Sequence, residues 1–97
     1  MSAKRFTHSR PLSNRQIDKI PDDKPAVYEI KNRAGDNIYT GVARRGRVQD
    51  RLREHLPGAK DAIPGAADFS IKQKRSIESA RNEEQKIINA EEPKHNE

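Results

Sequence analysis

Apolar residues in this chain recur in short runs with different periods, and each period specifies a different backbone. Leu12, Ile17 and Ile20 surround Ser13 and Gln16, a pair with the spacing of a helix-capping box, and Pro21 follows. A short packing helix is predicted there. The run Ala26-Val27-Tyr28-Glu29-Ile30 consists of strand formers broken by one charge. Residues 32–37 are then rich in Asn, Gly and Asp, and Ile38-Tyr39-Thr40-Gly41-Val42-Ala43 resumes strand character, which predicts a β-hairpin. Val48, Leu52 and Leu56 mark the stripe of a short amphipathic helix that Pro57-Gly58 ends. Residues 57–68 show no period and read as a loop. Alternation over Phe69, Ile71 and Gln73 predicts a third strand, which Lys72 and Lys74 would place at a sheet edge.

The last element, residues 76–90, reads as a helix because Ile77, Ala80, Ile87 and Ile88 return at helical spacing. Glu84 falls in the middle of that apolar stripe, while its neighbour Glu83 points elsewhere. Burying an unpaired carboxylate costs several kcal/mol, so Glu84 requires a cation, a metal or hydrogen-bond donors as partner, or else a raised pKa.

Composition narrows the reading further. A chain of 97 residues has room for one small domain. Only seventeen residues are Leu, Ile, Val or Phe, near the level at which disorder becomes a serious reading. The net charge of +5 is nevertheless small per residue, and the apolar positions cluster, so a folded centre with frayed ends is expected. Residues 1–10, basic and without period, read as a mobile tail, and 11–97 as the single domain. Without cysteine there are no disulfides and no thiolate zinc sites. No apolar stretch reaches the roughly 20 residues of a membrane helix, and the basic start leads into no signal-type core, so the cytoplasm is the default expectation. Residues 1–60 carry fourteen Lys and Arg against seven Asp and Glu, whereas 61–97 carry six against eight. A polyanionic partner suits the first two thirds of the chain.

Taken in order, Ala26-Val27-Tyr28, then Tyr39-Thr40-Gly41, then Arg51 and His55 four apart on a helix resemble the signature of the GIY-YIG nuclease family. Glu84 followed by Ile87-Ile88 and by Pro93-Lys94-His95-Asn96 is similar to the ending of its excision-repair members. The first triplet reads AVY and the second YTG, Val42 stands where some members carry a lysine, and His95 replaces the usual terminal tyrosine. The resemblance and the element order together predict an α+β fold, a small, mainly antiparallel three-stranded sheet flanked by helices.

The resemblance implies an endonuclease that hydrolyses phosphodiester bonds in DNA with Mg²⁺ or Mn²⁺. Glu84 would hold the metal, since Mg²⁺ uses only one or two protein carboxylates and takes its other ligands from water and phosphate. Tyr28 and Tyr39 would reach the same side of the sheet if the hairpin register sets them opposite one another. A phenol has a pKa of about 10, so a tyrosine base working near neutrality needs a depression of roughly 2 to 3 units, which neighbouring positive charge must supply. Arg51 would clamp the transition state through two parallel hydrogen bonds to phosphate, with Arg47 as the alternative, and His55 shares its helix face. Arg44, Arg45, Arg47 and Arg53 would make sequence-independent contacts to the DNA backbone, and Asn96 would support the site or touch the substrate. The alternative is a basic nucleic-acid-binding module of the same fold without turnover. Such a module needs the arginines but neither the glutamate nor the tyrosine pair.

Overall fold

A computed structural model describes residues 6–96. The elements in chain order are β1 (Arg10–Pro11), α1 (Asn14–Ile17), β2 (Ala26–Lys31), β3 (Asn37–Ala43), α2 (Val48–Arg53), β4 (Asp68–Gln73) and α3 (Ile77–Glu91). The strands pair antiparallel in one sheet of order β1-β4-β2-β3. The class is α+β as predicted, with 4 strands rather than three. The additional strand lies where a tail was expected: Thr7 N–H donates to Ile71 O at 2.8 Å and Arg10 pairs with Phe69. Two residues of strand are too few to show a period, so only pairing with β4 reveals them. Residues 1–5 of the expected tail lie outside the described residues.

Covering by β1 also moves β4 inward, so Lys72 and Lys74 do not mark an edge. Both instead meet Glu83 of α3, at 3.4 and 3.2 Å. Strand β2 lies between β4 and β3, and all of 26–30 is buried, which accounts for its nearly continuous apolar run. Alternation sends Ala26, Tyr28 and Ile30 to the face covered by Ile17 and Ile20 of the α1 region and by Val48 and Leu52 of α2. Val27 and Glu29 take the other face, where α3 packs on β3 and β2 through Ala80 and Ile87.

Two local devices hold α2 where the site needs it. Gly46, with φ of +80°, makes the turn after β3 and donates to Asp22 O at 2.8 Å. Arg47 at the helix start provides no side-chain cap, and Asp22 supplies one from a distant loop, its Oδ1 accepting from Val48 N–H at 2.7 Å. The free edge of β3 is closed by the C-terminal residues. His95 N–H donates to Ile38 O at 2.9 Å, and Asn96 pairs its side-chain amide with both main-chain groups of Thr40.

Candidate active site

In the hairpin register Tyr28 faces Gly41 and Tyr39 faces Ile30, so the tyrosines are diagonal neighbours and not opposite one another. They still share a sheet face, with ring centroids 6.3 Å apart. Gly41 is required by space alone: a Cβ there would stand 2.6 Å from Tyr28 Oη and 2.7 Å from Tyr28 Cζ. The absent side chain lets the buried phenol lie against β3.

His55 sits one residue beyond the cap of α2, its N–H donating to Leu52 O at 3.1 Å, so the last turn tightens past the helix end. Its ring is buried and carries two hydrogen bonds, to Asp61 O from Nδ1 at 3.0 Å and with Tyr28 Oη at Nε2, 2.8 Å. A carbonyl can only accept, so Nδ1 carries the proton, Nε2 accepts, and Tyr28 donates to it. Burial pushes the imidazole pKa below its ordinary value and keeps it neutral. Burial also pushes the Tyr28 hydroxyl well above the usual phenol range, an effect that nearby Arg51 only reduces. Tyr39 is raised as well, first by burial and then by the charges of Glu84 and Asp61, while Arg51 opposes. The expected depression of a tyrosine pKa is therefore not what this arrangement produces, because desolvation outweighs the single guanidinium.

Tyr28 has no exposed surface, whereas Tyr39 lines a cleft of about 440 Å³ with Arg51, His55, Lys60 and His95. Arg51 Nη1 pairs with Glu54 Oε1 at 2.8 Å, which orients the guanidinium. On α3, Glu84 is half-buried beside Ala80 and Ile87, as the stripe predicted, and close enough to Tyr39 for its charge to act there. Burial raises its pKa, with Arg81 opposing, and it makes no hydrogen bond or ion pair among the described residues. No cluster of three metal-ligating side chains occurs among those residues. One carboxylate with no side-chain partner among the described residues is a donor set that fits Mg²⁺ or Mn²⁺, which take their remaining ligands from water and phosphate, and not a zinc cage.

The same architecture occurs in solved structures. The N-terminal GIY-YIG endonuclease domain of UvrC from Thermotoga maritima, bound to its catalytic divalent cation magnesium, is 27% identical, with 87% of this chain and 96% of that domain covered and a TM-score of 0.69. This chain has the GIY-YIG fold. A variant of the same domain with a tyrosine replaced by phenylalanine gives 26% identity, 87% and 96% coverage and a TM-score of 0.69. A variant with an asparagine replaced by alanine gives 25%, 84% and 91%, and 0.65. No family model matches the sequence, and no curated protein does.

On the GIY-YIG frame the remaining sequence-predicted residues separate. Arg44 and Arg47 flank Arg51 along a groove, and Arg45 is exposed on the intervening turn. Arg53 turns away: it pairs with Asp18 and donates to Asn14 Oδ1 at 3.2 Å, tying α2 to α1, so it is not placed for the DNA contact expected of it. Asn96 is likewise occupied, because its Oδ1 accepts from Thr40 N–H at 2.6 Å and its Nδ2 donates to Thr40 O at 2.8 Å. It holds β3 next to Tyr39 instead of facing a substrate. Asn37 assists, accepting from Tyr39 N–H at 3.2 Å and donating to Glu91 of α3 at 3.1 Å. Sequence reasoning missed Asn37, Glu54, Asp61, Lys60 and Arg81. Only Glu54 left a signal, its place three residues after Arg51 on a helix. Among the described residues no helix is long and apolar enough to cross a membrane.

Proposed function

We propose that this chain is a metal-dependent endonuclease hydrolysing phosphodiester bonds in DNA. The observation that carries the reading is the meeting of Tyr28, Tyr39, Arg51 and His55 in one place, near a Glu84 that has no ion-pair partner among the described residues, on a nuclease fold. Glu84 would hold one Mg²⁺ or Mn²⁺, which when bound neutralises charge on the reacting phosphate and offsets the Glu84 charge that opposes Tyr39 ionisation.

Exposure divides the tyrosines. Tyr39, which lines the cleft, is the general base in its ionised form: the phenolate Oη takes a proton from water as the water oxygen bonds to phosphorus, and the bridging oxygen leaves with its electron pair and is protonated by solvent. Tyr28, wholly buried, is a positioning residue that fixes His55 and packs against Tyr39. Arg51 donates to the phosphate oxygens as their charge grows, with Glu54 fixing its plane.

The test is incubation with supercoiled plasmid and branched oligonucleotides, with and without Mg²⁺, beside Glu84→Gln, which removes charge and keeps volume. Wild type should nick DNA only with the metal, and the folded variant should not. Full Mg²⁺-dependent activity in Glu84→Gln overturns the metal role. DNA binding without cleavage of any substrate between pH 6 and 10 would replace the enzyme by the binding module, a reading that the arginine-lined groove serves equally well.

A further inference from the structure

Between the end of β3, the turn after it and the first half of α3 runs a groove of about 340 Å³, lined by Arg44, Arg47, Arg51 and Arg81 over an apolar floor. Its lining holds four guanidinium groups and no carboxylate. Arg47 and Arg51 are partly offset by Asp50 and Glu54, at 3.6 and 2.8 Å, each on α2 or next to it. Neither Arg44 nor Arg81 has an ion-pair partner among the described residues. Like charges gathered on both walls of one groove repel, and a polyanion relieves that repulsion. Arg51 also lines the cleft that contains Tyr39 and His55, so groove and cleft adjoin at its side chain. Arg81 lies three residues before Glu84, which puts both on neighbouring turns of one helix face.

We propose that this groove is a phosphate-binding subsite next to the bond that is cut, with Arg81 as its principal ligand and Arg44 and Arg47 on the opposite wall. One DNA strand then runs along the groove, crosses Arg51 and enters the cleft at Tyr39. The assignment rests on the endonuclease reading and deepens it, by naming where the uncut flank of the strand is gripped. Hydrolysis itself requires only Arg51 among these arginines.

The test measures binding without turnover. Affinity of the full chain for a fluorescent DNA duplex is followed by anisotropy in EDTA between 50 and 200 mM salt, each phosphate contact adding about one unit to the slope of log affinity against log salt. Wild type should show a steep slope, Arg81→Gln a slope smaller by about one unit, and Arg81→Lys the wild-type slope. Arg15→Gln, at an exposed position of α1, should match wild type. Arg81 is exposed and forms no ion pair among the described residues, so circular dichroism should show both of its variants folded as wild type. If wild type binds with a steep slope and Arg81→Gln matches it, the subsite is overturned while the endonuclease reading stands. If wild type shows no salt-dependent binding, the endonuclease reading fails with it.

Discussion

Replacing Gly41 by alanine is expected to damage both stability and turnover, because the new methyl would enter space that Tyr28 already fills. The contacts would be 2.6 Å to Tyr28 Oη, 2.7 Å to Tyr28 Cζ and 3.0 Å to Tyr39 Cε2, all well inside ordinary separation. Gly41 is absent from the positive-φ positions, so no backbone strain enters the account. Forcing an extra methylene-sized group into a filled core costs about 1–3 kcal/mol. The upper part of that range applies, since Tyr28 is fully buried and held by His55 at 2.8 Å, and so has nowhere to retreat. Against a total of about 5–15 kcal/mol for a domain of this size, a loss of this order is large. It corresponds to a fall in Tm of about 10–20 °C, readable by circular dichroism. Combining Gly41→Ala with Tyr28→Phe removes the contact to Oη but keeps the one to Cζ, so the double variant should recover only part of the loss. Plasmid nicking at a temperature where the variant is folded should also fall, because displaced tyrosines no longer meet Arg51. An unchanged Tm together with full nicking would refute the steric reading of this glycine.

Three further outcomes follow from the same contacts. Tyr39→Phe should abolish the rise of nicking rate toward alkaline pH, while Tyr28→Phe should keep that rise at a lower rate; the reverse pattern would exchange base and positioning residue. His55 has its folded pKa below the unfolded value of about 6.5, so the unfolded chain binds more protons and stability should fall as pH drops below that value. For Tyr28, raised above about 10, the folded form keeps a proton that the unfolded form loses, so stability should fall again as pH rises past that value. Urea midpoints across both ranges check the two limbs, and His55→Leu should flatten the acid one. Asn96→Ala leaves Thr40 N–H and O without their partners and should cost about 1–3 kcal/mol, with a larger proportional loss in nicking than in DNA affinity. Equal losses in both would return Asn96 to the substrate surface.

Much of this arrangement is legible along the chain because it depends on local periods. The hairpin follows from two runs of strand formers around a segment of turn residues, and α3 from a spacing that also singles out Glu84 among its neighbours. Arg51 and His55 stand four apart, which suffices to bring them to one side even though α2 ends at Arg53 and His55 lies in the tightened turn beyond it. Long-range geometry decided the rest. Strand β1 exists only by pairing with β4, and the register that makes the tyrosines diagonal arises between strands joined by a turn with an irregularity at Ile30/Lys31. Whether an arginine serves substrate or structure depends on what lies across from it: Asp18 captures Arg53, while Arg44 and Arg81 face each other over an open groove. The tyrosine pKa values depend on the same distinction. A sequence shows the guanidinium that would lower them, but the desolvation that raises them is a sum over every neighbour the fold brings in.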